Sequence, residues 1–164
     1  MEEEHLVHPI PPLYDGNSRI LILGSFPSRA SRAAAFFYGH PRNRFWPLIA
    51  RIVGEEPPAS TEEKRSLALR HGIALWDTVA SCDIRGSADA SITGAAVNDI
   101  GVILKAAPIK AIFTNGATST KLYERYIYPV TGIPSVPLPS TSPANAVCGM
   151  DALYEKWKVI ADLI

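Results

Sequence analysis

The chain has 164 residues, 47% of them hydrophobic and 20% charged, which suits one domain with a buried core and excludes a disordered protein. Sixteen Lys and Arg residues balance sixteen Asp and Glu residues, which excludes a globally basic nucleic-acid coat but not a local basic patch. Two cysteines are too few for a four-thiolate zinc site or iron–sulfur cluster, and we expect no metal and no other cofactor. The acidic start of the chain and the lack of long apolar runs predict a cytoplasmic protein without a membrane segment.

Residues 1–164 are predicted to form a single domain, in which residues 1–17, with the proline-rich stretch His8–Pro12, are an extended arm. Arg19–Leu23 is the first of four short apolar runs, a pattern typical of strands buried on both faces. The other three predicted strands are Ile73–Trp76, Ile109–Thr114 and Pro134–Leu138. The last of them contains proline, so we expect it at an edge of the sheet.

Between these strands, apolar residues recur three or four positions apart, which predicts amphipathic helices. One helix is expected over residues 43–53 with Gly54 just after its end, and another from the capping box Ser60-x-x-Glu63 to His71. Further helices are predicted from Val97 to Ala107, over Ala117–Tyr126 and from Leu153 to Ile164. The alternation of strands and helices predicts an α/β fold, a three-layer α/β/α sandwich around a four-stranded, mainly parallel sheet.

The loops that follow the four strands are the predicted functional site, because ligands of open parallel sheets bind outside the carboxyl ends of the strands. These loops are small, polar or rich in Gly and Pro, and they comprise Gly24–Ser28, Asp77–Thr78, Asn115–Thr118 and Pro139–Pro143. Between Asp15 and Glu55 the chain has six arginines and no acidic residue. Guanidinium groups match phosphate oxygens, which favours a nucleic-acid contact, and a solvated charged surface stays open as the alternative.

Aromatic residues lie among these arginines. We expect Phe45 and Trp46 in the core, and Tyr38, which stands in a loop, is the candidate for stacking on a base. The segment Gly24–Ser28 is not a G-x-S-x-G nucleophile elbow, and no Walker motif is present. The residues alone therefore predict an α/β domain with one basic, aromatic-flanked crevice.

Three motifs resemble the uracil-DNA glycosylase superfamily. The block His40–Trp46 is similar to the His-Pro-x-Asn-Arg-Phe-Trp block of its mismatch-specific members. Gly72–Val79 resembles the strand that carries a base-reading asparagine, and Leu138–Pro143 resembles the Pro-Ser loop that enters the minor groove. The motifs occur in the family's order, span nearly the whole chain and imply the fold of that superfamily.

The departures from the family pattern narrow the resemblance. Phe26 stands where the superfamily usually has an Asp or Asn that positions or activates water. Asp77 replaces the base-reading Asn, and Leu138 replaces the usual His or Asn of the Pro-Ser loop. These changes resemble the hypoxanthine-DNA glycosylase branch, in which the asparagine of the His-Pro-x-Asn block serves catalysis. The resemblance implies that Asn43 is catalytic, and an N-cap role for Asn43 at the following helix is compatible with it.

The resemblance implies an enzyme that hydrolyses the N-glycosidic bond of a flipped-out deaminated base in DNA, with hypoxanthine as the expected base. The implied base-binding residues are Gly24, Ser25, Phe26, Tyr38 and Asp77. The residues expected to contact DNA are Ser28, Arg29, Arg32, Arg42, Arg44, Ser140, Thr141 and Ser142. Asp77 is open between an ionised acceptor, a protonated donor and a group that only braces the loop at Thr78. The matched motifs contain no lysine, so we expect a monofunctional glycosylase without lyase activity, acting as a monomer.

Three alternatives stay open. The block His40–Trp46 also fits a uracil or G:T/U mismatch-specific glycosylase. Phe26 and Leu138, which replace polar groups, fit a non-catalytic DNA-binding module on the same scaffold. A binder of small phosphates or nucleotides fits any parallel sheet with polar loops at its carboxyl edge.

Overall fold

The structure is a computed structural model that describes residues 2–85 and 89–164. In chain order its strands are Glu3–Val7 (β1), Ile20–Gly24 (β2), Ile73–Asp77 (β3), Val79–Arg85 (β4), Thr93–Val97 (β5), Ala111–Asn115 (β6) and Ser135–Leu138 (β7). Four of them form a parallel sheet in the order β3-β2-β6-β7, and the other three form an antiparallel sheet in the order β1-β4-β5. The proline-containing β7 lies at an edge of the parallel sheet, as predicted.

Helices cover both faces of the parallel sheet. The α-helices are Arg29–Ala34 (α1), Phe45–Val53 (α2), Thr61–Arg70 (α3), Gly101–Ala106 (α4), Ala117–Leu122 (α5), Tyr128–Thr131 (α6) and Met150–Trp157 (α7). A π-helical segment, Tyr123–Ile127, joins α5 to α6, and a 3₁₀ helix, Lys158–Leu163, follows α7. In the part of the chain that the structure describes, no helix combines the length and the apolarity needed to cross a bilayer.

Alternate side chains of β2 point into two different cores, which explains why the strand is apolar throughout. Ile20 and Ile22 pack in a cluster with residues of α2, α3 and α7. Leu21 and Leu23 pack on the opposite face with residues of α4 and the π-helical segment. The predicted three-layer α/β/α sandwich is therefore confirmed, with helical layers on both faces of the sheet.

Two predicted helix boundaries agree with local capping chemistry. Gly54 follows α2 with a φ of 75°, and its N–H donates to the Ala50 carbonyl. Ser60 Oγ accepts from the Glu63 N–H at 3.1 Å, which caps α3. The helix predicted over Ala117–Tyr126 is α-helical only through Leu122, and the last predicted helix turns into the 3₁₀ segment after Trp157.

The sequence analysis did not predict the antiparallel sheet. One of its strands, β5, contains a residue that was predicted to be helical. Val97 was expected at the start of a helix, but it ends β5, where it is paired with Val79. The helix begins later because the Asp99 side chain accepts from the Gly101 N–H at 2.9 Å, which supports its first turn. β1 lies in the arm predicted for residues 1–17 and pairs with β4.

Phe45 joins the core to the loop that precedes α2. Its ring is fully buried and its centroid lies 4.0 Å from that of Tyr38, 5.0 Å from Trp46 and 5.9 Å from Trp157. We expect Phe45→Ala to lower the free energy of unfolding by about 3–5 kcal/mol, because the cavity cannot close among rigid rings. Urea denaturation measures this loss.

Val130→Ala is the matched control, because this apolar side chain is 83% exposed. Its free energy of unfolding is expected to stay within about 0.5 kcal/mol of the wild-type value. A loss below about 1 kcal/mol for Phe45→Ala would contradict the packing described for this ring.

Candidate active site

The four loops at the carboxyl edge of the parallel sheet line one pocket of about 540 Å³. Gly24–Ser28 follows β2, Asp77 ends β3, Asn115 ends β6, and Pro139–Ser142 follows β7. The segment between α1 and α2 completes the wall with further side chains, including Tyr38 and Asn43. The parallel topology brings together residues that are far apart in sequence.

Asn43 lies beside the start of α2, and Arg44 rather than Asn43 is the N-cap residue of that helix. Asn43 lines the pocket, and its Oδ1 accepts from the Phe45 N–H at 3.0 Å, at the first turn of α2. An amide oxygen has two lone pairs, so Oδ1 retains capacity to accept from a water molecule in the pocket. The hydrogen bond from the Phe45 N–H fixes the orientation of the Asn43 side chain at the pocket wall.

Asp77 is paired with a residue of the N-terminal arm. Its Oδ2 lies 2.7 Å from His8 Nε2, and both side chains are at most 5% exposed. The Thr78 N–H donates instead to the Gly24 carbonyl at 2.8 Å. Of the alternatives left open for Asp77, the one in which it only braces the loop through Thr78 does not match the structure, because the carboxylate is hydrogen-bonded to His8.

Gly24 allows two polar side chains to approach the backbone closely. A Cβ at this position would overlap Asp77 Oδ1 and would lie 3.2 Å from Tyr38 Oη. Only glycine leaves room for both oxygens at the end of β2. Gly24 was predicted to contact the base. In the structure, the Asp77 carboxylate and the Tyr38 hydroxyl both lie close to its backbone.

Tyr38 presents its hydroxyl rather than an open ring. One face of the ring is stacked on Phe45 at 4.0 Å, and the residue has a φ of 54°. The hydroxyl is buried and makes no hydrogen bond of standard geometry with the described residues, although the Asn115 side chain is near enough to lower its pKa. Burial, with a further contribution from the nearby Asp77 carboxylate, raises the pKa of Tyr38 above its ordinary value, so the phenol keeps its proton.

The pocket is acidic. Asp77 and Asp89 are lining residues, and no Lys, Arg or His occurs among the described lining side chains. Ser25 Oγ donates to Asp89 Oδ1 at 2.8 Å. Desolvation raises the pKa of Asp89, and the Asp77 charge adds to this rise, although the Ser25 hydrogen bond opposes it. The acidic interior contrasts with the arginine-rich segment outside it.

Arg44 has a role that the sequence did not predict. Its guanidinium donates to the carbonyls of Ser142 at 2.8 Å and Asn145 at 3.0 Å, and to those of Thr141 and Cys148. Its backbone N–H also donates to the Thr141 carbonyl at 3.1 Å. Arg44 was expected to contact DNA, but these bonds direct its guanidinium to the loop after β7, which it holds in one shape.

Asn115 fixes the buried side of the same loop. Its Nδ2 donates to Thr141 Oγ1 at 3.0 Å, and its Oδ1 accepts from the Thr141 N–H at 3.1 Å. Thr141 is fully buried. The Thr141 side chain, predicted to contact DNA, is therefore directed to β6 instead, because its hydroxyl completes this reciprocal pair.

The remaining predicted DNA-contacting residues surround the pocket. Ser28 caps α1 by accepting from the Ser31 N–H at 3.2 Å. Arg32 donates to the Pro27 carbonyl at 2.8 Å, and its guanidinium lies over the Phe26 ring. The other four are Arg29 on α1, Arg42 just before Asn43, and Ser140 and Ser142 in the loop after β7.

Two residues of the site, His8 and Asp89, were missed at the level of sequence, and for a third, Asn115, only its partner was missed. His8 reaches Asp77 across 69 positions, Asp89 reaches Ser25 across 64, and Asn115 reaches Thr141 across 26. Only Asn115 carried a local signal, because it directly follows a buried apolar strand. No spacing pattern indicates the partners of His8 and Asp89.

Comparisons with known proteins agree with this geometry. The family model of the Uracil DNA glycosylase superfamily matches residues 11–164. A "Hypoxanthine DNA glycosylase" of Methanosarcina barkeri is 37% identical over 111 residues, which cover 66% of this chain and 70% of that protein. A protein of the same name from Methanosarcina acetivorans is 35% identical over 137 residues, which cover 82% and 85% of the two chains.

The fold comparison agrees as well. The solution NMR structure of a Methanosarcina acetivorans protein proposed to be a uracil DNA glycosylase superposes with a TM-score of 0.80 at 30% sequence identity. The match covers 94% of this chain and 95% of that one. The similarity therefore extends over nearly the whole of both chains.

The loop contacts of Arg44 yield a prediction. We expect Arg44→Lys to lower the free energy of unfolding by at least about 2 kcal/mol, because one ammonium cannot replace a planar fork directed at several carbonyls. Limited proteolysis is expected to cut within residues 141–149 faster than in the wild type. Arg42→Lys, at the neighbouring exposed arginine, is the control and is expected to change neither measurement. Unchanged proteolysis in Arg44→Lys would contradict the role assigned to the guanidinium.

Proposed function

The chain belongs to the uracil DNA glycosylase superfamily, and from this premise we propose that it is a DNA glycosylase that removes a deaminated base, with hypoxanthine as the preferred base. The observation that carries the proposal is a single pocket that combines Asn43, the Asp77 carboxylate and the loop after β7. Its volume of about 540 Å³ suits one nucleotide turned out of a duplex.

DNA is held outside the pocket. We assign phosphate contacts to Arg29, Arg32 and Arg42, and contacts at the groove to Ser140 and Ser142 in the loop after β7. Arginine and serine suit phosphate oxygens, and such contacts position the duplex without reading its sequence. The damaged nucleotide then turns into the pocket at a cost of a few kcal/mol, which is smallest for a mispaired base.

The chemical step is hydrolysis at C1′ of the sugar. A water oxygen forms a bond to C1′ while the bond from C1′ to the base nitrogen breaks, and the electron pair of that bond leaves with the base. Asn43 Oδ1, already fixed by the Phe45 N–H, orients this water by accepting a hydrogen bond from it. The attacking water loses one proton to solvent, and the departing base gains one from solvent. Backbone N–H groups around Ser25 and Phe26 donate to the base carbonyl and stabilise negative charge that develops on the base.

The acidity of the pocket supports a purine substrate. A base that leaves as an anion is repelled by Asp77 and Asp89, and the described lining residues include no cation to offset this repulsion. Hypoxanthine has a basic ring nitrogen, N7, whose protonation lets the base leave neutral, whereas uracil has no comparable nitrogen. An acidic pocket therefore favours hypoxanthine over uracil.

Asn43→Ala tests the proposal. In single-turnover reactions with a duplex that contains hypoxanthine, we expect its release to slow by at least about 100-fold, because the water loses its orienting group. Abasic sites are scored by alkali cleavage. Parallel duplexes with uracil, xanthine or thymine report the base preference.

Ser60→Ala separates catalysis from capping. Ser60 caps α3 outside the pocket, so this variant loses a cap worth about 1 kcal/mol without touching the site, and its rate is expected to equal the wild-type rate. Release of uracil or thymine alone would move the protein to the mismatch-specific branch. Binding of duplex without release of any base would make it a DNA-binding module.

We further propose that the enzyme is monofunctional. The described residues that line the pocket include no lysine, so no amine is placed to form a Schiff base with the abasic sugar. Sodium borohydride added during turnover is expected to trap no protein–DNA adduct, and strands are expected to break only after alkali. A glycosylase with lyase activity serves as the positive control, and a trapped adduct of this chain would contradict the proposal.

A further inference from the structure

His8 lies behind the pocket wall, where it pairs with the lining residue Asp77 although it belongs to the N-terminal arm. Its Nε2 lies 2.7 Å from Asp77 Oδ2, and its side chain is only 4% exposed. The imidazole stands edge-on to the rings of Phe26 at 5.8 Å and Trp76 at 6.4 Å. Because both side chains of the pair are at most 5% exposed, the hydrogen bond between His8 and Asp77 is shielded from water.

The backbone fixes which nitrogen of His8 carries the proton. His8 Nδ1 accepts from the Ile10 N–H at 3.2 Å, so this nitrogen has its lone pair toward the backbone. The ring proton of the neutral imidazole therefore lies on Nε2 and is donated to Asp77 Oδ2. Asp77 is thus held as an acceptor through one oxygen, which leaves its other oxygen, Oδ1, at Gly24.

The hydroxyl of Tyr38 lies at the same backbone position. A Cβ on Gly24 would touch both Asp77 Oδ1 and Tyr38 Oη, so the two oxygens face one small region of the pocket. Tyr38 Oη is the buried side-chain polar atom that makes no hydrogen bond of standard geometry with the described residues. A buried hydroxyl without a partner is costly in free energy, and a ligand that accepts its proton removes that cost.

We propose that His8 locks Asp77 as a hydrogen-bond acceptor beside the Tyr38 donor, and that this pair reads a ring N–H and the adjacent carbonyl of a deaminated purine and rejects adenine. The inference rests on the proposed function, since it concerns the base that enters the same pocket. His8 acts as a positioning residue, whereas Asp77 and Tyr38 touch the base.

Hypoxanthine and adenine differ only at the edge of the ring formed by N1 and the substituent on C6. Hypoxanthine has a donor at N1 and an acceptor at O6, which match the Asp77 carboxylate and the Tyr38 hydroxyl. Adenine has an acceptor at N1 and a donor at N6, so its N1 lone pair faces the carboxylate and its amino group faces the hydroxyl proton. A site built to bind an N–H rejects an analogue that lacks it, because its buried groups are then left unpaired.

Binding to uncleavable duplexes measures this preference directly. The probes are two duplexes that carry a 2′-fluoro-arabino nucleotide with hypoxanthine or with adenine, because the fluorine blocks bond cleavage. Dissociation constants from fluorescence anisotropy are compared for the wild type and three variants, Tyr38→Phe, His8→Ala and His8→Gln. The matched control is His5→Ala, which removes a histidine paired with Asp83 at 2.9 Å on the exposed side of the same arm.

The wild type is expected to bind the hypoxanthine duplex at least about tenfold more tightly than the adenine duplex. Tyr38→Phe and His8→Ala are expected to bring the two constants within about threefold of each other, since each removes one half of the reading pair or its support. Glutamine keeps an N–H donor, so His8→Gln is expected to retain an intermediate ratio. His5→Ala is expected to keep the wild-type ratio.

A merely structural role for His8 or Tyr38 would weaken both complexes equally and leave the ratio unchanged, which would overturn the proposal. A wild-type ratio near one would overturn it as well. Tyr38→Phe removes a hydroxyl that makes no hydrogen bond of standard geometry with the described residues, so its melting temperature is expected to match that of the wild type and folding defects do not obscure the test. Release of hypoxanthine from a cleavable duplex is scored separately, so failure of the proposed function is distinguished from failure of base reading.

Discussion

The donation of the Arg44 guanidinium to four carbonyls of the segment from Thr141 to Cys148 sets the shape of the pocket. Carbonyls of an irregular loop have no strand or helix partners, and without this cation they would need water or another conformation. Because Arg44 directly follows Asn43, its hydrogen bonds position both the loop proposed to contact DNA and the proposed catalytic amide. The reciprocal pair between Asn115 and Thr141 ties the same loop to the parallel sheet.

Charge is separated in space although the chain is neutral overall. No arginine occurs among the described residues that line the pocket, whereas the carboxylates of Asp77 and Asp89 lie inside it. The arginine charge outside the pocket attracts phosphates, whereas the interior repels them, so only an uncharged part of the nucleotide is favoured in the pocket. The same interior disfavours an anionic leaving group. Positive charge outside the pocket thus favours binding of DNA, and negative charge inside it disfavours an anionic leaving group. A base that enters and leaves as a neutral molecule is compatible with both charges.

The sequence predicts the parts of the molecule that depend on local chemistry. The apolar run that becomes β2 and the glycine after α2 carry their structural signal within a few residues. The antiparallel sheet has no such local signal. Its strand β5 is rich in small residues, and Val97 of β5 pairs with Val79 of β4, which lies far from it in the chain. In the site, the resemblance to the family's motifs was enough to identify Asn43 and Asp77 as candidate residues. The partner of Asp77 could not be identified in this way, because a contact between His8 and Asp77 exists only after the two sheets have formed.

The hydrogen bond between His8 and Asp77 depends on the antiparallel sheet. β1 contributes little apolar burial, since most of its residues are exposed, yet it pairs with β4 from Glu3 to Val7. The ladder continues at His8, whose N–H donates to the Ala80 carbonyl at 2.7 Å. A single residue, Thr78, separates β3 from β4, so the register of β1 on β4 also fixes the distance from His8 to Asp77. Side chains alternate between the two faces of a strand, so a shift of one residue would turn the imidazole away from the carboxylate. Strand register thereby controls the hydrogen-bonding state of an acid in the base pocket.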